Sequence, residues 1–458
     1  MAQTILLFRI NRDKYAVIQN VCRTLGIRII DVARKDYSQK LGTLAQIQGF
    51  TREAKKYDGP EFPAEMLIFS EMNSDQVDVF LAEYKKSGQV KALIVTGCLA
   101  QRYRQEILDE IPEVDEVLGT TAYDKILDVV DRALEGEQGI ILSDLNALPV
   151  SGAKRLVTTG GHFAYLKIAE GCDKHCTYCI IPKIRGNFRS VPMERLIKEA
   201  KELAEQGVKE LILVAQETTL YGKDLYGEKC LHRLVEELCK IAGIRWIRIL
   251  YCYPEEITDE LIEVIKKEPK VCHYLDLPIQ HASDSILKRM GRRTSKQELT
   301  DIVKKLRKEI PDICLRTTLI TGFPGETEDQ HEELMQFVDE MEFDRLGVFT
   351  YSPEEDTPAA VMPDQIAEEV KEERQADLME LQQEIAFDNA ENMIGREMLV
   401  MIEGKVADEN AYVGRTYRDA PNVDGLIFIN TEEELISGDF AKVKITGALE
   451  YDLIGELL

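Results

Sequence analysis

The chain opens with short apolar runs that alternate with amphipathic segments over residues 1 to about 120. The runs have the length of buried strands, and the segments between them repeat apolar residues at helical spacing. This alternation predicts a small parallel sheet flanked by helices, as a three-layer α/β domain. The four runs are residues 5–8, 27–30, 66–69 and 92–95.

A longer repeat of the same kind follows from about residue 162 to residue 352. Each strand-like run is separated from the next by at least one helical pattern, such as residues 193–205, 231–241 and 297–308. The repeat predicts a partial (βα)6 barrel, with chemistry gathered at the strand ends. The six runs are residues 163–168, 210–215, 246–253, 274–279, 314–320 and 345–351.

The pattern changes again near the end of the chain. Residues 363–394 are charged and predict a helix, and from residue 396 short alternating strands with turn signals predict a small β-barrel. Earlier in the chain, residues 136–160 contain several glycines and a proline and predict a linker. The strand-like runs of the β-barrel are residues 399–402, 411–415, 425–429 and 441–445.

Three cysteines stand directly after the first strand of the barrel repeat. Cys172, Cys176 and Cys179 follow the spacing Cys-x-x-x-Cys-x-x-Cys, which supplies three thiolates where a closed zinc or iron–sulfur site takes four ligands. A four-iron cluster held in this way keeps one iron open for a small molecule. A zinc site completed by His175 or Cys98 is the alternative, and a disulfide framework is a weaker one, because ten cysteines in a chain of this size suit a reducing compartment.

Four further strand-end segments are expected on the same face of the barrel. Their hydroxyl and amide groups suit a ribose, their glycines allow close backbone approach, and Arg316 suits a carboxylate, so together they favour a nucleoside-like ligand. Residues 322–325 as a tight turn and Glu326 as an early helix residue are the structural alternative. The segments are residues 216–222, 278–283, 316–318 with 320–326, and 349–352.

Charge restricts the partners of the chain. The formal net charge is -25, from 82 acidic and 57 basic residues, so RNA binding would need a local basic patch that works against the global field. The basic cluster of the C-terminal segment, Arg415 and Arg418 with Tyr417, stands beside Asp419 and Asp424. A basic protein partner is therefore favoured. No apolar run reaches membrane-spanning length and the N-terminus lacks a signal-peptide pattern, which predicts a cytoplasmic protein without a membrane partner.

The cysteine spacing at the end of the first barrel strand resembles the radical S-adenosylmethionine (SAM) superfamily. More closely, residues 91–458 resemble a methylthiotransferase, on residues 91–98, 186–190 and 325–326. The ending, residues 412–421 with 424–425, is similar to the branch that modifies an aspartate in the twelfth protein of the small ribosomal subunit. The sister branch modifies isopentenyladenosine in tRNA and usually ends in a more basic barrel.

The resemblance implies that Cys172, Cys176 and Cys179 bind a 4Fe-4S cluster whose open iron chelates SAM. It further implies a basic ribosomal protein as substrate, with tRNA less favoured, and a reductant such as flavodoxin or ferredoxin. We expect the SAM contacts to come from Tyr178, Ile181, Gln216, Glu217, Gln280, Ser283, Arg316, Ile320 and Gly322.

The chain departs from the family at its N-terminus. The family supplies three cysteines there for a second 4Fe-4S cluster, and only Cys98 matches. Residues 1 to about 88 do not resemble the usual first part of that domain, and residues 66–81 distantly resemble a small uncharacterised α/β domain instead. Two other hypotheses therefore stand beside the main one: a tRNA-modifying relative, and a remodelled ribosome-binding homologue that has lost sulfur transfer. The predicted order is residues 1–88 atypical, 89–135 the remainder of the methylthiotransferase N-terminal domain, 136–160 linker, 161–392 radical SAM barrel with a trailing helix, and 393–458 TRAM-like β-barrel.

Overall fold

The computed structural model describes residues 3–8, 10, 12–36, 66–70, 76, 79, 80, 83, 84, 91–148, 155, 157, 160–406 and 410–458. These residues form two compact units that divide after Asp144. In the described part of the chain, no helix is both long and apolar enough to cross a membrane.

The first unit contains two small sheets. Within the described residues its strands are β1 (Thr4–Phe8), β2 (Arg28–Val32), β3 (Met66–Ser70), β4 (Ile94–Thr96), β5 (Glu116–Leu118) and β6 (Gly139–Ile141), and its helices are α1 (Arg12–Leu25), α2 (Cys98–Tyr103), α3 (Gln105–Glu110) and α4 (Ile126–Leu134). β1 lies between β2 and β3, parallel to the former and antiparallel to the latter. β4, β5 and β6 form a separate parallel sheet.

This arrangement differs from the single parallel sheet predicted for residues 1 to about 120. Apolar periodicity marks a strand but carries no information about its direction or its sheet, so neither the antiparallel β3 nor the separation of β4 could be predicted. β5 and β6 have only three residues each, too few for a periodic signal. β6 also lies within residues 136–160, which were predicted as linker.

The second unit is built around a six-stranded parallel sheet, which confirms the partial (βα)6 barrel. Its strands are β7 (Phe163–Lys167), β10 (Glu210–Val214), β11 (Trp246–Ile249), β12 (Val271–Gln280), β13 (Cys314–Thr321) and β14 (Arg345–Thr350), and β8 (Ala169–Glu170) pairs with β9 (Arg189–Ser190) beside them. The order is β14-β13-β12-β11-β10-β7. All neighbouring strands run parallel, so their carboxyl ends meet at one edge.

Helices cover the outer face of this sheet and pack against the apolar strand residues that point to that face. Leu211 and Leu213 pack in one cluster with helix residues such as Leu196, while Ile212 between them packs in a second cluster on the inner face. The helices are α5 (Ile181–Arg185), α6 (Met193–Glu205), α7 (Lys223–Tyr226), α8 (Leu231–Cys239), α9 (Asp259–Lys267), α10 (Asp284–Arg289), α11 (Lys296–Glu309), α12 (Glu328–Met341) and the trailing α13 (Glu368–Glu391).

The predicted C-terminal β-barrel is confirmed as a closed barrel of five strands. The sequence pattern showed four of them; the fifth, β19, follows β18 after a tight turn in which Glu450 has a positive φ of 42°. The strands are β15 (Glu397–Lys405), β16 (Ala411–Arg415), β17 (Ile427–Asn430), β18 (Phe440–Leu449) and β19 (Asp452–Leu457), in the order β15-β16-β17-β19-β18.

The C-terminal barrel packs against the six-stranded sheet at the amino ends of its strands. Met401 and Ala420 of the C-terminal barrel belong to the same apolar cluster as Phe163, Trp246 and Tyr274 of the sheet. Phe163 and Trp246 are the first residues of their strands. The amino ends of the strands are therefore covered by protein, and the opposite edge carries the cysteine loop.

Candidate functional site

The loop between β8 and α5 carries the three cysteines at the carboxyl edge of the sheet. Cys172 and Cys176 are buried and Cys179 is partly exposed. The backbone amide of Cys172 donates to the carbonyl of Gly186 at 3.2 Å, and that of Cys179 donates to the carbonyl of Cys176 at 3.0 Å. The loop thus turns tightly and keeps its thiols on the protein side.

Gly171 fixes the start of this loop. It has a φ of 80°, which disfavours any residue with a Cβ, and a Cβ built there would lie 2.1 Å from the carbonyl oxygen of Asn187. Its amide donates to Oε1 of Gln216 at 2.8 Å. Gln216, predicted as a SAM contact, therefore anchors the cysteine loop from the end of β10.

Segments that follow other strands hold the middle of the loop. The amide of Thr177 donates to the carbonyl of Met290 at 2.9 Å, and its hydroxyl donates to the carbonyl of Arg289 at 2.8 Å. The carbonyl of Thr177 accepts from the amide of Ala359 at 2.9 Å. The residue directly after Cys176 is therefore bonded to two segments far away in sequence.

The thiols lie close enough to influence one another. Burial raises the pKa of Cys172 to about 12, with further contributions from Cys176 and Cys179, and burial also raises the pKa of Cys179. A metal binds thiolates and displaces these protons. Among the described residues, no three His, Cys, Asp or Glu side chains already stand at metal-binding distances, so the sulfur atoms would turn towards a cluster as it binds.

The donor set fits an iron–sulfur cluster better than the zinc alternative. His175 lies between two buried cysteines, yet its own side chain is exposed, so its imidazole does not share their side of the loop. Cys98, the other candidate fourth ligand, begins α2 in the first unit. Two buried thiols and one partly exposed thiol, with no fourth cysteine in the loop, suit a cluster that keeps one iron open.

Glu217 brings a buried carboxylate to the same edge. Its Oε1 accepts from the amide of Thr219 at 2.9 Å, while its Oε2 has no hydrogen-bond partner. Burial raises the pKa of Glu217 to about 7. Lys174 of the cysteine loop lies 3.8 Å from Oε2, so the unused oxygen is directed towards the loop and could accept from the ammonium group of an amino acid.

Tyr178 and Ile320, both predicted SAM contacts, meet in one apolar cluster with Phe323 and Tyr351. The ring of Tyr178 packs edge-on against Phe323 with 6.5 Å between ring centres, and burial raises the pKa of Tyr178 well above its ordinary value. Ile181 lies two residues beyond Cys179, partly exposed at the start of α5. The cluster forms an apolar wall beside the cysteines.

Gly322 ends the neighbouring strand in a left-handed conformation, with a φ of 69°. A Cβ at this position would lie 2.2 Å from Cγ of Lys371. Lys371 is buried and donates to the carbonyl of Tyr351 at 2.9 Å. The backbone at Gly322 is consequently as close to α13 as it can come.

The two predicted contacts after β12 are held by local bonds. Gln280 has a φ of 75°, and Nε2 of its side chain donates to the carbonyl of Pro278 at 3.4 Å. The amide of Ser283 donates to Nδ1 of His281 at 2.9 Å. Both residues lie at the carboxyl edge of the sheet.

Arg316 has a different environment from the one expected. Its guanidinium lies 3.0 Å from Oδ1 of Asp276 and 3.4 Å from Oδ1 of Asp424. A SAM carboxylate would have to compete with these two, and the contact of Arg316 with SAM stays a prediction. Arg292 and Tyr253, which contact the surroundings of Cys176, were missed, because nothing in the sequence distinguishes Arg292 from the adjacent, exposed Arg293.

The basic cluster of the C-terminal barrel is used internally. Arg415 is 1% exposed and its Nη2 lies 2.6 Å from Oε2 of Glu210, which also binds Nε of Arg248 at 2.8 Å. Arg418 pairs with Asp344. These arginines bind carboxylates of the six-stranded sheet and are not presented to a phosphate backbone.

Comparison with known proteins agrees with this architecture. The Radical SAM superfamily model matches residues 166–338 and the TRAM domain model matches residues 394–458. The ribosomal protein uS12 methylthiotransferase RimO of Lachnoclostridium phytofermentans is 66% identical over 375 residues, which are 82% of this chain and 85% of the relative. The chain belongs to the uS12 methylthiotransferase family. This family assignment confirms the resemblance seen in the sequence and, with it, an enzyme whose cofactors are a 4Fe-4S cluster and SAM.

Other relatives give the same family. The uS12 methylthiotransferase RimO of Clostridioides difficile is 50% identical over 377 residues, or 82% of this chain and 85% of the relative. Among solved structures, the radical SAM methyltransferase TsrM of Kitasatospora setae aligns with a TM-score of 0.49 and 12% identity, over 63% of this chain and 62% of its own.

Proposed function

We propose that this member of the uS12 methylthiotransferase family transfers a methylthio group to the β-carbon of an aspartate in ribosomal protein uS12. The observation that carries the proposal is the 66% identity to RimO of Lachnoclostridium phytofermentans over 82% of the chain. The buried three-cysteine loop at the carboxyl edge of the sheet supports it, because that donor set suits a cluster with an open iron.

Cys172, Cys176 and Cys179 would hold the 4Fe-4S cluster, which supplies the electron that cleaves SAM to a radical able to abstract hydrogen from an unactivated carbon. The Oε2 atom of Glu217, which has no hydrogen-bond partner, would accept from the ammonium group of SAM. Tyr178 and Ile320 would cover the apolar side of the adenosyl group, and the remaining predicted contacts would line the same edge. The task of the chain is to hold the reacting carbon next to the radical and to exclude others.

The substrate we propose is a protein. The net charge of -25 attracts basic ribosomal proteins and repels tRNA. The buried pairs of Arg415 with Glu210 and of Arg418 with Asp344 keep these two arginines of the C-terminal barrel from binding RNA. We also propose flavodoxin or ferredoxin as the electron donor and the cytoplasm as the location.

Transfer of sulfur would require a second cluster, which depends on cysteines that precede the barrel. Residues 1–160 contain two cysteines, Cys22 and Cys98. Cys22 is buried in the core of the first unit and burial raises its pKa to about 11, whereas Cys98 is partly exposed at the start of α2. One accessible thiolate favours a second candidate function, in which SAM is cleaved without methylthio transfer.

The test is anaerobic reconstitution with iron and sulfide, followed by incubation with SAM, a reductant and purified uS12. Mass spectrometry of uS12 measures methylthio transfer, and chromatography measures deoxyadenosine. We expect Cys176→Ala to abolish both products, while Cys239→Ala, which removes a buried thiol at the end of α8, leaves both unchanged. Deoxyadenosine without modified uS12 would identify the second candidate function, and absence of both from the wild type would refute the proposal.

Cys98→Ala reports on the second cluster. If Cys98 takes part in sulfur delivery, the variant keeps deoxyadenosine formation and loses the methylthiolated product, with a lower iron content than the wild type. Equal iron content and equal product in variant and wild type would remove Cys98 from the site.

A further inference from the structure

Arg292 is a buried cation without a carboxylate partner. It is 6% exposed, its Nη2 donates to the carbonyl of Pro278 at 2.9 Å, and its Nε has no hydrogen-bond partner. None of the ion pairs among the described residues includes it. Because burial of an unpaired charge is costly, this position favours an anion nearby.

The neighbours of the guanidinium lead directly to the cysteine loop. Its Cζ lies 4.2 Å from the centre of the Tyr253 ring, an aromatic face that stabilises a cation. The hydroxyl of Tyr253 lies 3.6 Å from Sγ of Cys176. Burial alone would lower the pKa of Arg292, but its neighbours, Glu255 among them, raise it overall, and an arginine keeps its charge in proteins.

The backbone fixes this charge relative to the loop. The amide of Arg292 donates to the carbonyl of Leu287 at 2.9 Å. Just before it in the chain, the carbonyl of Arg289 accepts from the hydroxyl of Thr177 and the carbonyl of Met290 accepts from its amide. The segment that carries Arg292 therefore binds the residue next to Cys176. The backbone that carries Arg292 cannot move away from the cysteine loop without breaking these bonds.

We propose that Arg292 raises the reduction potential of the 4Fe-4S cluster by placing a fixed positive charge beside Cys176. This inference rests on the proposed function, which places the cluster on Cys172, Cys176 and Cys179. Three thiolates make the cluster an anion, and the electron it receives from a reductant adds negative charge. A cation in a poorly solvated place stabilises the reduced form more than the oxidised form, because nearby charge and solvent exposure set the potentials of such clusters.

The test compares four reconstituted proteins: the wild type, Arg292→Gln, Arg292→Lys and Arg293→Gln. Iron and sulfide are counted, and the cluster is titrated with dithionite, a one-electron donor in solution, while electron paramagnetic resonance follows the reduced cluster. SAM is left out, so a change in its binding cannot shift the result. Arg293 is exposed and supplies the matched loss of charge one residue away.

We expect the Arg292→Gln cluster to have a tenfold or greater loss in its equilibrium constant for reduction, a fall of about 59 mV for one electron. Arg292→Lys and Arg293→Gln should remain near the wild type. An Arg292→Gln protein with full iron content and the wild-type potential would overturn the inference. If Arg292→Gln fails to hold iron, Arg292→Lys decides. A cluster retained in Arg292→Lys at the wild-type potential supports a role of the charge, and loss of the cluster from both variants overturns the inference. A wild type that holds no four-iron cluster would instead refute the proposed function.

Discussion

Arg415 offers the most direct test of how the C-terminal barrel is attached and whether it binds RNA. The side chain donates to Oε2 of Glu210 and Oε1 of Glu403, both at 2.6 Å, and to the carbonyl of Asp419 at 2.9 Å. In Arg415→Met the fully buried Glu210 keeps only Arg248 as a cationic partner. The variant thus removes one half of a buried ion pair while replacing most of its volume.

Breaking a buried ion pair from one side costs about 3–5 kcal/mol, which is roughly a hundredfold or more in the folding equilibrium. Trp246 is the one tryptophan of the chain, and its ring lies 4.8 Å from that of Phe440 of the C-terminal barrel. Urea unfolding followed by tryptophan fluorescence therefore reports on this contact. Arg396→Met, at an exposed position of the same segment, is the control and should change stability by less than about 0.5 kcal/mol.

The double variant Glu210→Gln with Arg415→Met should lose less stability than the sum of the two single variants, because their effects are coupled through one pair. Salt-dependent tRNA binding should be equally weak in Arg415→Met and in the wild type. A loss of stability below about 1 kcal/mol, together with a marked fall in tRNA affinity, would refute the structural role of Arg415 and favour the tRNA hypothesis.

Three other predictions follow from local geometry. Gly171→Ala should abolish iron binding on reconstitution, because its Cβ would overlap a carbonyl oxygen, while Gly161→Ala, also at positive φ but with open space, should bind iron normally; equal iron content would contradict the argument. Gly322→Ala should weaken SAM binding measured by calorimetry at unchanged iron content, with Gly207→Ala, which likewise meets open space, as the control. Burial opposes ionisation of Glu403, but hydrogen bonds and charges from its basic neighbours outweigh that effect and lower its pKa. The ionised Glu403 therefore stabilises the folded protein above the ordinary pKa, and this stabilisation is lost as the pH falls below it. Glu403→Gln should accordingly show a smaller loss of stability in acid than the wild type.

The sequence by itself determined the repeating elements and the chemistry of one loop. Each strand of the second unit places apolar residues on both faces of a covered sheet, so it appears in the sequence as a continuous apolar run. The six runs and the helices between them were therefore predictable. The spacing of the three cysteines predicts a three-thiolate site, because thiols so close along the chain can turn towards one centre, and this assignment stays a prediction. The C-terminal barrel was predictable as a class, although its fifth strand was not.

Only the tertiary structure decided what each charged side chain does. Arg316 reads in the sequence as a ligand for a carboxylate, yet Asp276 and Asp424 already occupy its guanidinium. Arg415 reads in the sequence as part of a basic cluster beside Asp419 and Asp424, yet its partner is Glu210, 2.6 Å away and separated by 205 residues of sequence. Arg292 looks like its neighbour Arg293 and differs only in being buried beside Tyr253. Charges act through distance and burial, and both are properties of residues brought together by folding, which spacing along the chain does not encode.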